Sequence, residues 1–234
     1  DELFSGYYDH HNAYLCDIKN DTELYLSSVT NWQREIKPWV RNPYLQDADL
    51  FVRDPQFRGH IYLNANEYTG WLHDDFNCEF DEQLYAPGLL RNRMHNELFH
   101  ECVPCVLHAD DMNAMAYSIE NRSPFLDRNI FEAMQSIPTR HLIKNGRAKA
   151  LLREATRDFV SDAVLDNPRK VGFNAPIEDF LDIRDPNVKA QLLDDSPIYS
   201  LVKKAPIEKI FERETLTNSA SKFLFNFINT KIFL

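Results

Sequence analysis

Tyr117-Ser-Ile-Glu120-Asn-Arg122-Ser-Pro124-Phe125-Leu-Asp127 joins two helical patterns, and the reading of the whole chain turns on it. Upstream, Leu90, Met94, Leu98 and Cys102 recur every four residues, and Met112, Met115 and Ile119 follow at spacings of three and four. This is the period of amphipathic helices, here two of them separated at Pro104. Downstream, Asp127 is a good N-cap for a helix from about Arg128 to Ile137, striped by Ile130, Phe131, Met134 and Ile137 and stopped by Pro138. A fourth helix is expected from about Arg147 to Val160, with Leu151, Leu152, Ala155 and Phe159 inward. Residues 161–176 are rich in turn formers and read as a loop. Short helices follow near 177–182, 188–194 and 206–214, and an apolar one near 219–231. Glu23 to Glu35 also fits a helix, whereas Asp47 to Gly70 alternates aromatics with Pro and Gly and reads as irregular. Strand signals are few and no repeat or linker appears, so the expectation is a mainly α chain forming one body.

Within the opening stretch, a helix delivers Glu120 and Arg122 to its end, and Ser123 before Pro124 is pushed out of the α region. An acid and a base at such a break can orient a ligand. They can equally form a partly buried ion pair that joins two helices. From Arg140 to Arg153 five basic residues, Arg140, Lys144, Arg147, Lys149 and Arg153, occur with no acidic one. Lys149 and Arg153, four apart, would share a helix face and meet one phosphate near the helix N-terminus. The other reading of this run is a solvated basic face. Arg169 and Lys170 add two cations before Gly172, and a loop lysine can neutralise charge developing on a phosphate or an oxyanion.

Composition limits these possibilities. The 234 residues are 44% hydrophobic and 26% charged, ordinary for a globular chain that can bury a core. The six glycines, at 6, 59, 70, 88, 146 and 172, are so dispersed that neither GxGxxG nor GxxxxGK(S/T) can be written. A net charge of −10 repels nucleic acid on average, so an anionic ligand needs a local cationic cluster. The apolar run from Phe223 to Leu234 is broken by Asn and Lys and is far short of about twenty apolar residues, so no membrane span is expected. Asp1-Glu-Leu-Phe has no signal-peptide character, and four sparse cysteines, Cys16, Cys78, Cys102 and Cys105, suit a reducing cytosol.

Other signals are weaker. Cys102-Val-Pro-Cys105 lacks a second ligand pair for zinc, which leaves core packing as its reading. His95 and His100 point to different helix faces. Asp110 or Asp111 is best explained as capping a helix start, in preference to binding a cation with His108. His10-His11 carries little information by itself.

Four motifs, in order, resemble the glutamine-dependent asparagine synthetases. Asp1-Glu-Leu-Phe-Ser-Gly-Tyr7 is similar to the tail of the S-D-E-(L/V)-F-G-G-Y segment. Ser118-Ile-Glu-Asn-Arg-Ser-Pro-Phe-Leu-Asp127 is similar to S-(V/I/L)-E-x-R-x-P-F-L-D. Gly146-Arg-Ala-Lys-Ala-Leu-Leu-Arg153 is similar to G-x-x-K-x-x-L-R, and Lys170-Val-Gly-Phe to K-x-G-F. The resemblance is specific at 1–7 and from about 88 to 181.

The resemblance implies the helical C-terminal part of an α/β PP-loop ATP-pyrophosphatase domain, which activates a carboxylate as its acyl-adenylate and lets ammonia displace AMP. It implies ATP and Mg²⁺ as cofactors, Asp1 as a magnesium ligand, and Glu120 and Lys170 at the reacting centre. Arg122, Lys149 and Arg153 would support them by fixing Glu120 or holding phosphates. Aspartate is the default small-molecule carboxylate, and ammonia would come from a glutaminase domain upstream. The family's S-G-G-x-D-S loop and its glutaminase domain are absent from these residues, Ser5 replaces the first glycine of G-G-Y, and Asp110-Asp111 stands where Asp-Arg or Asp-Lys is common. Residues 1–234 are therefore expected to be a partial, cytoplasmic and by itself inactive synthetase domain. The reading from a different class is a noncatalytic helical interaction module.

Overall fold

The computed structural model describes residues 1–61, 65–74, 80–169 and 175–234. Among them are α1 (Tyr8–Ile18), α2 (Thr22–Glu35), α3 (Leu50–Arg53), α4 (Ala65–Thr69), α5 (Leu89–Asn96) and α6 (Val103–Met115). There follow α7 (Arg128–Ser136), α8 (Ala150–Ala155), α9 (Asp162–Leu165), α10 (Pro186–Leu193), α11 (Lys204–Ile210) and α12 (Asn218–Phe233). Two isolated β-bridges, Leu72 with Val202 and Lys144 with Arg147, are the extent of strand pairing among the described residues, so the chain is mainly helical. None of these helices is long and apolar enough to cross a membrane.

The chain forms two compact units where the sequence suggested one body: Asp1–His60 with Asp81–Val171, and Ile61–Phe80 with Gly172–Leu234. The boundary has no compositional mark because the chain leaves the first unit and re-enters it through ordinary mixed sequence.

In the first unit α1 packs against α2, α3 and α5. Eight of its eleven residues are buried, from His10 through Cys16 and then Ile18, so it is a core helix with almost no solvent face. Leu15, Phe51, Leu90 and Met94 are shielded almost completely around it. Each such side chain contributes about 1.5–3 kcal/mol of transfer free energy. Asp17, at the end of α1, accepts the amides of Leu89 at 2.6 Å and Leu90 at 3.1 Å and so caps α5 from a distance. Burial raises its carboxyl above the usual range while those two amides pull the other way. Asp127 accepts from the Asn129 amide and starts α7, as the sequence led us to expect, and Asp21, not singled out in the sequence, accepts from the Leu24 amide and starts α2. Met134 is buried, with Ile130, Phe131 and Ile137 packed against the same core.

Several expectations need correction. The every-fourth-residue stripe keeps Leu90, Met94 and Leu98 buried, but α5 ends at Asn96 and Leu98 lies in a π-turn, Glu97–Glu101. Pro104 sits in the first turn of α6, where its missing N–H costs nothing. Met112, Met115 and Ile119 have helical spacing yet are 60%, 56% and 59% exposed, because no described residue covers them. Asp110 and Asp111 are inside α6 and cap nothing. The helix expected over 147–160 is only Ala150–Ala155, with Phe159 exposed. Asn145 and Gly146 both have positive φ, and Lys144 and Arg147 exchange backbone hydrogen bonds at 3.0 and 2.9 Å. This is the geometry of a tight turn that Asn-Gly favours, so the backbone cannot enter a helix until after Lys149, itself at φ +57. The expected loop over 161–176 contains the single turn of α9.

The second unit packs Ile177, Ile183, Ile198, Val202, Ile207, Ile210, Leu224 and Phe227, with Trp71 and Phe223 against them. Its α12 matches the apolar helix expected near 219–231 and is started by Thr217, whose hydroxyl accepts from the Ala220 amide.

Candidate functional site

The site grows from the turn Asp1–Tyr7 that precedes α1. A Cβ added at Gly6 would stand 1.9 Å from Asp1 Oδ1 and 2.5 Å from Lys149 Cε, so glycine leaves the room in which these two side chains meet and a larger residue would push their ends aside. They do meet, with Lys149 Nζ 2.5 Å from Asp1 Oδ1. Burial and the neighbouring Arg153 push the Lys149 ammonium below its ordinary pKa. Ser5, where the resembling family has glycine, adopts φ +64, a left-handed conformation that costs a non-glycine residue about 1 kcal/mol or more.

Beside this pair is a cavity of about 180 Å³ lined by Gly6, His11, Arg147, Lys149, Arg153 and Arg169, among others. The Asn-Gly turn and the left-handed Lys149 aim Arg147 and Lys149 at it. Lys149 and Arg153 therefore border one cavity, although Lys149 precedes the helix and does not share its face. Arg153 is held by carbonyls, donating to Ala148 at 2.9 Å, to Asn167 at 3.3 Å and to Leu165. Arg147 pairs with Asp166 and lies 3.9 Å from Glu35, and the Arg169 guanidinium rests 4.0 Å from the centre of the Trp39 ring. Of the five cations from Arg140 to Arg153, three border this cavity, and Arg169 adds a fourth. In a chain of net charge −10 that arrangement suits an anion with several oxygens.

Asp1 itself borders a different cavity, of about 260 Å³, with Glu2, Tyr7, Asp110, Ser123 and Phe125 among its walls. Phe4 and Phe125 meet edge to face at 5.9 Å, which brings the Ser123–Leu126 segment to the Asp1 turn. The Tyr7 hydroxyl donates to Glu2 at 2.5 Å, and burial together with that carboxylate raises its pKa. Glu120 and Arg122 pair with each other but are 71% and 81% exposed at their side chains and line neither cavity. The pair is thus neither buried nor a bridge between packed helices. Lys170 lies outside the described residues, as does Cys78. Cys16, Cys102 and Cys105 are free thiols, and Cys105 is exposed instead of packed in the core.

Behind the Asp1 turn is a buried polar layer that the sequence did not announce. His10 is fully buried; its Nδ1 accepts the Gly6 amide at 3.1 Å and its Nε2 faces Glu97 Oε2 at 2.8 Å. Asp9 lies 3.3 Å from His60 Nε2 and 3.9 Å from Arg93 Nη1. Burial opposes the charge on Asp9, but the His60 hydrogen bond and the Arg93 guanidinium hold its carboxyl well below the usual range. Burial depresses His11 to about 3, so its ring stays neutral. Asp9, His10 and Glu97 offer ligand atoms within 4.8 Å of one another, the spacing of a metal site. The Gly6 amide, however, makes His10 Nδ1 an acceptor, which leaves the ring proton on Nε2 where a metal would bind.

Comparison with known proteins identifies the family. The family model described as Asparagine synthase matches residues 1–231. The chain is 45% identical over 76 residues to the glutamine-hydrolyzing asparagine synthetase 1 of Bacillus subtilis (strain 168), a match covering 32% of this chain and 12% of that protein. It is 31% identical over 133 residues to a provisionally named glutamine-hydrolyzing asparagine synthetase of Mycobacterium bovis, covering 51% of this chain and 20% of the relative. The chain thus spans about a fifth or less of the length of these relatives. No solved structure matches it. With nearly every residue inside the family match, the chain belongs to the asparagine synthase family.

Proposed function

We propose that this chain supplies part of the ATP site of an amide-forming ligase that activates a carboxylate as its acyl-adenylate and couples it to ammonia. The observation that carries the reading is the Asp1–Lys149 pair, closed over Gly6 beside a cavity with four cationic side chains. Adenylation places charge on the α-phosphorus and on departing pyrophosphate, and a cationic enclosure is what that charge needs.

The residues fit Mg·ATP. Asp1 offers hard carboxylate oxygens for Mg²⁺, which would supply charge neutralisation on the phosphates. Lys149 balances Asp1 and faces the phosphate oxygens, Arg147 and Arg169 border the same space, and Arg153 braces the turn through its carbonyl contacts. Lys170, one residue beyond Arg169, is assigned the neutralisation of charge developing during adenylation or amide formation. Glu120 is assigned to the reacting centre, with Arg122 fixing its carboxylate. Aspartate is the default acceptor and a glutaminase domain the source of ammonia. In this reading the S-G-G-x-D-S loop belongs to an α/β PP-loop half outside these 234 residues, which alone are inactive. The free thiols suit a cytoplasmic enzyme.

In the full-length gene product, Lys170→Ala should abolish ATP–pyrophosphate exchange or product formation with aspartate while glutaminase activity persists. Full synthetase activity in that variant refutes the role. The exposed stripe Met112, Met115 and Ile119 favours a second reading, a noncatalytic helical interaction module. Absence of any Mg·ATP-dependent activity in the full-length product would select it.

A further inference from the structure

The Asp1–Lys149 pair depends on where the Gly6 backbone lies, and the structure shows what holds it. Tyr7, the N-cap of α1, makes no side-chain capping bond. The helix start is held instead by His10, in its third position, whose Nδ1 reaches back to the Gly6 amide at 3.1 Å. This is the reciprocal half of a capping box displaced by one residue, with an imidazole in place of the usual Glu or Gln. Nδ1 can accept only when it carries no proton, so the ring is the Nε2–H tautomer and donates to Glu97 Oε2 at 2.8 Å. His10 is 0% exposed, and the Tyr7 ring meets it edge-on at 5.1 Å, so it has little room to turn. Glu97 opens the π-turn Glu97–Glu101, which rotates the helical path at the point where its carboxylate meets the ring.

We infer that His10, oriented by Glu97, is a positioning residue for the anion site: it fixes the Gly6 amide so that Asp1 and Lys149 meet across the glycine, with Lys149 on the cavity wall. The inference rests on the phosphate-site reading given above. Its chemistry is specific as to atom. The Nδ1 acceptor acts on the site, and the Nε2–Glu97 contact only sets the tautomer and the ring angle. Asparagine at position 10 places its carbonyl oxygen near Nδ1 and keeps the Gly6 bond. Glutamine reaches toward Nε2 and loses it.

The test uses the full-length protein with two readouts. The first is hydrogen exchange of the Gly6 amide, which reports the loop whatever the protein's activity. The second is binding of inorganic pyrophosphate with Mg²⁺, measured by calorimetry. His10→Gln should speed Gly6 exchange and weaken pyrophosphate about tenfold, the scale of one lost hydrogen bond. His10→Asn should leave both within about twofold of wild type. A residue needed only to fill the core would give the opposite ranking or none, since Gln is nearer to His in volume. Glu97→Leu against Glu97→Gln is the second pair, usable if His10→Gln does not fold: Leu should loosen the Gly6 amide and weaken pyrophosphate, and Gln, which still accepts from Nε2–H, should not. Equal effects of Asn and Gln at position 10, or of Leu and Gln at position 97, overturn the inference. Failure of the wild-type protein to bind pyrophosphate overturns the phosphate-site reading instead, and the exchange measurement then still reports on His10.

Discussion

Around Leu15, Phe51, Leu90 and Met94 the first unit buries His10, His11, Asn12, Arg93 and Asn96. The second unit packs Ile177, Ile198, Ile207, Ile210 and Leu224, and Ser221 is its buried polar residue among those described. Ser221 has a local duty, accepting the Ile177 amide at 2.9 Å. Polar groups inside a protein cost free energy unless each finds a partner, so a core that carries many is tolerated where the partners also shape something else. In the first unit that something is the Asp1 turn. The second unit, with a nearly all-apolar interior, draws its core stability mainly from buried contact area.

Three measurements can break or sharpen this contrast. The largest effect is expected from Arg93→Met. The Arg93 side chain is 1% exposed, stacks 4.4 Å from the Phe51 ring and lies 3.4 Å from Glu82 and 3.9 Å from Asp9. Removing it strips the buried carboxylates of a counter-charge and should destabilise the first unit by about 3–5 kcal/mol in urea unfolding. A loss under about 1 kcal/mol would mean that the polar layer is solvated and the contrast is false. Next comes Leu224→Ala in the second unit, expected to cost about 2–5 kcal/mol through lost burial and a cavity. That loss should be the same from about pH 5 to 8, because Tyr199, packed against this cluster, is pushed up to about 12; a pH-dependent loss in that range would show that the second core is not the inert one.

The smallest effect is a slope. Native His11 titrates near 3 against an ordinary 6.5, so between these values the unfolded chain holds a proton that the folded one does not. The stability due to the neutral ring is complete above the unfolded value and drains as pH falls toward the folded one. The contribution is a slope of about 1.4 kcal/mol per pH unit within that window. His11→Gln should flatten the urea midpoint against pH by that amount below neutrality, and an unchanged slope would place the proton elsewhere.

Much of the candidate site was legible in the motifs around Asp1, Gly146 and Lys149, because each carries a local constraint that sequence spells out. Gly6 is favoured by close approach, and Asn145-Gly146 by a turn with two positive φ angles, a signal that outweighs the apolar spacing once read as a helix from Arg147. The conspicuous stretch Tyr117–Asp127 was the less informative one. Its helical spacing is real, yet Met112, Met115 and Ile119 face outward, since periodicity reveals that a stripe exists and not what covers it.

By itself, then, the sequence determined the mainly helical character, the cap at Asp127, the apolar terminal helix and the family motifs, all of which depend on neighbours a few residues apart. Only the tertiary structure decided that Lys149 meets Asp1 across 148 residues, that Arg169 joins Arg147 at one cavity, and that His10 and His11 are interior. The physical reason is range. Helix propensity and capping act within a turn or two, whereas burial and charge pairing are set by whichever distant side chains the packed core happens to bring within a few ångströms.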